Sequence, residues 1–474
     1  MALVPDINSH LTPYVLSRTY IFLPMAKIAF VHPDLGIGGA ERLVVDAAVG
    51  LQERGHHVTI YTSHCDMSHC FDEISSGVLA VKVFGDFLPT TILGKFHILC
   101  AILRQLYLVL RLILSGEIRA YDFFIVDQLS FCVPLLNAFS TAAARVLFYC
   151  HFPDQLLAKK GGAVKKLYRV PFDAVEEWST GTSDQIVVNS TFTKSIFHST
   201  FTHLSAVDPG VIYPCVDVLQ PQQDNALAEQ EWAQFMGQSR YFLSINRFER
   251  LKNVALAIRA YAKLERSARP RLVIAGGFDA RVRENVEYLA ELEKLCDSLG
   301  LVHYTFRGKL VAMPKSTEVV FLPSVKNSVK NAALKSALLL LYTPTFEHFG
   351  IVPVESMLHK TPVLAIDRGG PLESIVNFTG ENLDSATGFN RPNDIDAWAE
   401  VLSEFSLSSK DNVRAKLGEN GWHRANELFS RDQMSEQFEA NLLTAAKAPK
   451  KSFLVWPFAA ATVVLVGMIL SLWH

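Results

Sequence analysis

Lys27-Ile28-Ala29-Phe30-Val31-His32-Pro33-Asp34-Leu35-Gly36-Ile37-Gly38-Gly39-Ala40-Glu41-Arg42 decides the fold. Lys27–His32 is a short apolar run of the kind that forms a strand buried on both faces. A glycine loop, Gly36-Ile37-Gly38-Gly39, follows, and the spacing predicts a helix from Ala40 to about Arg54, stopped by Gly55. Val58–Thr62 reads as the next strand, which completes a βαβ unit with its loop and helix N-terminus at one ligand edge. Working outward, strands are expected at Phe123–Val126, Arg145–Tyr149 and Gln185–Val188. Residues 215–240 are polar and rich in Gln, Asp and Ala, and read as the inter-domain linker region. A second series starts beyond it, at Tyr241–Ile245, Arg271–Ala275, Tyr304–Phe306, Leu338–Tyr342 and Val363–Ile366. Alternation of strands and helices predicts an α/β chain of two Rossmann-like, doubly wound domains facing a cleft. The expected organisation is an extension over 1–24, a first domain over 25–220 and a second over 221–446.

Composition narrows the function. The chain has 474 residues, 49% of them hydrophobic, with 45 Lys+Arg against 47 Asp+Glu. That balance lacks the basic excess of a nucleic-acid binder, so no nucleic acid is expected as partner. Seven scattered cysteines with no C-x-x-C pair are read as reduced thiols facing the cytosol. His64, Cys65, His69 and Cys70 have no second ligand pair at matching spacing, and no metal site is expected. Phe453–Trp473 carries no charge and is long enough to span a bilayer. Lys447, Lys450 and Lys451 precede it, which by the positive-inside rule keeps the bulk of the chain cytosolic. The sequons at Asn189 and Asn377 would then never meet the glycosylation machinery. Leu93–Ser115 is helical in period and very apolar, interrupted by Lys95, Arg104 and Arg111. It is expected to be an interfacial helix with its basic residues toward lipid headgroups, against the alternative of a helix packed on the sheet. The pairs Lys159-Lys160 and Lys165-Lys166 could face anionic headgroups or a lipid diphosphate, or simply solvent.

The chemistry is expected at strand ends. Glu347-His348-Phe349-Gly350-Ile351-Val352-Pro353-Val354-Glu355 places two carboxylates eight positions apart, between an apolar strand and an apparent helix from Pro353. Gly350 lets backbone N–H groups of the Phe349-Gly350-Ile351-Val352 turn approach a ligand, and a helix N-terminus favours an anion. Otherwise Glu347 is a solvated loop residue and Glu355 a helix-start acid. Arg247 and Lys252 follow the first strand of the second domain and can converge on a diphosphate, unless Arg247 serves only to pair with Glu249. Gly38 and Gly39 bring helix N–H donors to the first domain's ligand edge, or merely permit tight packing. His151, in Tyr149-Cys150-His151-Phe152-Pro153-Asp154, could donate a hydrogen bond to a sugar hydroxyl or help position the acceptor, or else cap the segment after it. Gly369-Gly370 could bind near phosphates or form a turn.

Together these runs resemble glycosyltransferase family 4, with the GT-B fold and retention of anomeric configuration. The run opening at Val31-His32-Pro33-Asp34 and the run Ser244-Ile245-Asn246-Arg247-Phe248-Glu249-Arg250-Leu251-Lys252-Asn253 resemble most the mannosyltransferases of that family that act in N-glycosylation. The resemblance implies GDP-mannose as donor and dolichyl-diphosphate-linked Man1GlcNAc2 as acceptor. One α-1,3 and one α-1,6 mannose would be added by the same protein at the cytosolic face of the endoplasmic reticulum membrane. It implies that Arg247 and Lys252 hold the donor diphosphate, Glu347 lies by the mannose and Glu355 holds the ribose hydroxyls. Gly38 and Gly39 would close the site, His151 would flank the reacting sugar, and no cofactor would be needed. Membrane lipid and other mannosyltransferases of lipid-linked oligosaccharide assembly are the implied partners. The alternatives are a family 4 transferase acting on another lipid such as phosphatidylinositol, a non-catalytic GT-B scaffold, or a nucleotide-binding sensor.

Overall fold

β1 (Lys27–Asp34) is buried from Ile28 through His32, as an all-parallel sheet covered on both faces demands. The glycine loop leads into a helix over Gly39–Glu53 that buries Leu43, Val44, Ala47, Ala48 and Leu51. That i, i+4 stripe seats the helix on the sheet. The computed structural model describes residues 23–451, apart from 93, 95, 158–162, 217–222, 307, 309 and 311.

β2 (His57–His64), β3 (Ala80–Val83), β4 (Phe123–Asp127), β5 (Arg145–Cys150), β6 (Gln185–Val188) and β7 (Gly210–Val211) complete the first sheet, in the order β3-β2-β1-β4-β5-β6-β7. The second sheet contains β8 (Tyr241–Ile245), β9 (Arg271–Gly276), β10 (His303–Thr305), β11 (Val319–Pro323), β12 (Leu340–Tyr342), β13 (Val363–Ile366) and β14 (Gly388–Arg391). Its order is β10-β11-β9-β8-β12-β13-β14. The named strand pairs are parallel in both sheets. Chain direction reverses its march across the sheet between β1 and β4 in the first, and between β8 and β12 in the second. Ligands of open α/β sheets sit outside the carboxyl ends of strands at such points.

Several expectations shift in detail. Residues 223–236, inside the region read as linker, form a helix that buries Trp232, whose indole N–H donates to the Tyr241 hydroxyl at 2.8 Å. The last described helix, Arg431–Lys447, returns to the first sheet: Met434, Phe438 and Leu442 join the core under β1. Buried Glu439 holds it there, 2.9 Å from His56 Nε2 and 2.8 Å from Arg54 Nη2. The segment expected at the membrane surface forms the helix His97–Ser115, with Leu93 and Lys95 outside the described residues. Among the described residues it alone has the length and apolarity to cross a membrane, and half of it is buried. Arg104 corrects the expected orientation. It is 4% exposed and turned inward, its guanidinium 2.8 Å and 3.1 Å from the two carboxylate oxygens of Asp34, because a buried cation requires a partner. The expected membrane span over 453–473 and the extension up to residue 22 lie outside the described residues. So do Lys159, Lys160 and the side chains of Lys165 and Lys166. The seven cysteines are free thiols, five of them buried. Asn189 is also buried, its side-chain amide donating to the His151 carbonyl at 3.0 Å.

Candidate functional site

At the reversal point of the second sheet, the loop after β8 and the loop after β12 meet. Lys252 closes a 3-10 turn, Arg250–Lys252, that Asn253 ends in the left-handed region with φ of 49°. The Thr343 hydroxyl, one residue beyond β12, donates to the Lys252 carbonyl at 2.6 Å and fastens the two loops. Lys252 Nζ donates to Glu347 Oε2 at 2.8 Å, and the Tyr342 hydroxyl donates to the same oxygen at 2.8 Å. Burial and Glu347 push the Tyr342 phenol well above its ordinary range, so it remains a donor at all working pH values. Glu347 is therefore a held carboxylate, not a solvated loop residue.

Gly369 and Gly370 are the seat of that loop. The Gly370 N–H donates to the Glu347 carbonyl at 2.9 Å. A Cβ on Gly369, whose φ is 74°, would lie 2.4 Å from that carbonyl oxygen, and one on Gly370 would lie 2.3 Å from the Phe349 backbone. Close backbone approach explains both glycines. Gly350, with φ of 84°, turns the chain into the helix Ile351–Leu358, two residues earlier than expected.

Glu355 faces elsewhere. Its Oε1 accepts from Lys330 at 2.7 Å, and it lines a cleft of about 780 Å³ with Ile351, His359, Lys330 and, from the first domain, Arg42 and Phe71. The two acids thus address different surfaces of one loop and helix. Arg247 is not gathered with Lys252: it is 67% exposed and 3.2 Å from Glu249, the surface-pair arrangement. Gly38 caps the first helix in extended backbone, and the Glu41 carboxylate folds so close that a Cβ on Gly38 would overlap it, whereas Gly39 has open space around it.

The first domain meets this loop directly. The Phe152 ring stacks on His348 with centroids 3.7 Å apart and planes 9° from parallel. The Ser190 hydroxyl donates to the His348 carbonyl at 2.6 Å. Glu373 accepts from the N–H groups of Thr191 and Phe192, at 2.7 and 2.6 Å, at the start of the helix Thr191–Thr200. Burial pushes the His348 imidazole down to about 4; Glu347 opposes this, while Lys252 and His151 add to it. His348 is therefore neutral at neutral pH, within electrostatic reach of Glu347, Lys252 and His151. His151 itself is 19% exposed, with Nε2 3.1 Å from Asp127 at the end of β4.

Tyr342, His348, Lys330, Glu373, His32 and Asp127 are site residues beyond those expected from the sequence. His348, Tyr342 and Glu373 stood inside or beside the quoted runs, and Asp127 follows an expected strand directly. Lys330, on the helix Asn327–Ser336, carried no local signal.

Two parallel α/β sheets in two domains that meet at their strand ends have the architecture of the GT-B fold. Residues 37–220 match the family described as Glycosyltransferase Family 4, and residues 229–424 that described as Glycosyl transferases group 1. The alpha-1,3/1,6-mannosyltransferase ALG2 of Debaryomyces hansenii is 58% identical over 442 residues, 90% of this chain and 93% of that protein. ALG2 of Saccharomyces cerevisiae is 49% identical over 437 residues, 90% of this chain and 86% of that one. Among solved structures, Anabaena HepE in complex with UDP has a TM-score of 0.62 at 18% identity, covering 88% of this chain and 100% of its own. Sucrose-phosphate synthase from Thermosynechococcus elongatus has a TM-score of 0.62 at 17% identity, covering 87% and 97%. At those identities the likeness is one of fold. The chain belongs to the ALG2 family of alpha-1,3/1,6-mannosyltransferases, and it is an enzyme, a glycosyltransferase.

Proposed function

We propose that this enzyme transfers mannose from GDP-mannose to dolichyl-diphosphate-linked Man1GlcNAc2, adding one α-1,3 and one α-1,6 mannose with retention, in the lipid-linked stage of N-glycosylation. The observation that carries the reading is the Lys252–Glu347–Tyr342 cluster at the reversal point of the second sheet, next in sequence to the His348–Phe152 stack that joins the two domains. A departing diphosphate develops negative charge that a preorganised cation stabilises, and Lys252 is held for that role. Arg247 joins it by swinging from Glu249, a motion its exposure permits. Glu347 lies beside the sugar, its carboxylate oriented by two donors. The turn Phe349-Gly350-Ile351-Val352 presents backbone N–H groups at a helix N-terminus to the phosphates. Glu355, at the edge of the cleft, takes the ribose hydroxyls once Lys330 yields them an oxygen. Gly38 and Gly39 close over the donor from the first domain, and His151 flanks the reacting sugar.

The acceptor hydroxyl attacks from the face that GDP leaves, and a phosphate oxygen takes its proton. Lys252 already occupies Glu347, which disfavours that carboxylate as a nucleophile. Isolation of a mannosyl ester on Glu347 would overturn this step. The enzyme acts at the endoplasmic reticulum membrane with both domains cytosolic, beside other mannosyltransferases of the same lipid-linked assembly. The division of labour between the acids is tested by calorimetry and kinetics together. Glu355→Gln weakens GDP binding several-fold, whereas Glu347→Gln leaves GDP affinity within about twofold and lowers kcat on the order of 10²-fold. The opposite pattern would reverse the two assignments.

A further inference from the structure

The reversal point of the first sheet holds a chain of three side chains. Asp127, the last residue of β4, is 2% exposed. His32 Nδ1 lies 2.9 Å from each of its carboxylate oxygens, and His151 Nε2 lies 3.1 Å from Oδ2. The second ring nitrogen of His32, Nε2, is 3.0 Å from the Asp34 carbonyl oxygen. An ionised carboxylate and a carbonyl only accept hydrogen bonds, so both nitrogens of His32 must carry protons. His32 is an imidazolium inside the protein. Burial opposes that charge, but Asp127, Glu41 at 4.0 Å and the Asp34 carbonyl more than offset it and raise the His32 pKa. Burial likewise opposes the Asp127 charge, yet His32 and His151 bring Asp127 down to about 2.

This ion pair fixes the hydrogen-bonding role of the third member. Asp127 can only accept, so His151 Nε2 donates to it. The remaining nitrogen, Nδ1, is then the one free to meet a ligand, on a side chain that is 19% exposed. The His151 carbonyl accepts from Asn189, which fixes the backbone there, and the Tyr149 ring centroid lies 4.8 Å from that of the imidazole. His32 is fully buried and cannot touch a substrate. Its charge balances Asp127, so no second cation is required beside that carboxylate.

We infer that His32 and Asp127 are positioning residues that hold His151 in the Nε2–H tautomer, leaving Nδ1 to accept a hydrogen bond from a hexosyl hydroxyl. The inference rests on the proposed placement of His151 beside the reacting sugar. A site with one acceptor nitrogen rejects a sugar lacking the matching hydroxyl and orients one that has it.

The test combines kinetics with spectroscopy on the full-length enzyme. Asp127→Asn replaces an acceptor by an amide that can donate to Nε2 and force the other tautomer. It should lower kcat about 10–100-fold with donor KM within about twofold. His32→Asn keeps a donor to Asp127 but removes the charge, and should lower kcat in the same sense and less steeply. Selective 15N-histidine labelling, with His151 assigned by its loss in His151→Gln, should show Nδ1 unprotonated in the parent and protonated in Asp127→Asn. A parent spectrum with Nδ1 protonated overturns the inference, and this readout remains if Asp127→Asn does not fold. Folded Asp127→Asn with kcat within about threefold of the parent, alongside inactive His151→Gln, overturns the inference and spares the site. Active His151→Gln overturns the placement of His151 and the inference with it.

Discussion

Replacing Lys252 by Met keeps most of the side-chain volume and removes the charge that Glu347 faces. Nζ and Oε2 are 2.8 Å apart, and the two side chains are 20% and 19% exposed. At an effective dielectric of about 20 their attraction is about 6 kcal/mol before desolvation. Desolvation offsets most of that, as it does for other partly buried pairs, so folding should lose only about 1–2 kcal/mol. Tyr342 still donates to Glu347 in the variant, which limits the damage. The transition state loses more. The charge that forms on the departing diphosphate no longer meets a preorganised ammonium, a loss of about 2–4 kcal/mol by analogy with other fixed donors. That corresponds to about 30- to 1000-fold in kcat/KM.

The assay is transfer from GDP-mannose to a synthetic lipid-diphosphate acceptor, with thermal unfolding as control. The expected result for Lys252→Met is a fall in kcat/KM within that range and an unfolding temperature shifted by only a few degrees. Lys252→Met and Glu347→Gln should also be non-additive, because each removes the partner of the other. A folded Lys252→Met enzyme within about threefold of the parent would refute the role given to the cluster.

Gly370→Ala should misplace the Glu347 loop by about 1 Å, since its Cβ would lie 2.3 Å from the Phe349 backbone, and should cost on the order of 10²-fold in kcat, read in the same assay. His348 sets an acid limit. Its folded pKa of about 4 lies below the unfolded 6.5, so the stability from burying it neutral is present above pH 6.5 and is lost as pH falls toward 4. Against His348→Phe, which preserves stacking on Phe152, the parent should lose about 3 kcal/mol across that window in denaturant titrations; equal pH slopes would contradict this. Glu373→Gln should loosen the contact between domains, seen as faster hydrogen exchange at the Thr191 and Phe192 amides, with about 1–2 kcal/mol lost locally.

Strands buried on both faces were readable because they are short apolar runs punctuated by glycine, as at Ile28–Val31 and Tyr241–Ile245. β11 is absent from the expected strands although Val319–Pro323 is wholly buried; the proline that ends it weakens a strand reading. β3 is a mostly exposed edge and carries little pattern. The helix over 223–236 was read as linker since its polar residues outnumber the few, such as Trp232 and Phe235, that meet the core. Arg104 reversed its expected direction because Asp34, 70 positions away, supplies its counter-charge. The site divides similarly. Strand ends, the glycine turn and the two acids could be seen locally. Which oxygen faces which cation could not: Lys252 and Glu347 are 95 positions apart, and Asp127 and His32 likewise. Such pairings are set by sheet order, which a linear pattern does not contain.

The central claim is mannosyl transfer from GDP-mannose, with retention, to a lipid-diphosphate chitobiose that already bears one mannose. Purified full-length enzyme, GDP-mannose and that synthetic acceptor should give a product heavier by two hexoses, with one α-1,3 and one α-1,6 linkage by nuclear magnetic resonance. A β linkage would contradict the retaining mechanism. No transfer to that acceptor, with turnover on a different lipid, would contradict the assigned substrate.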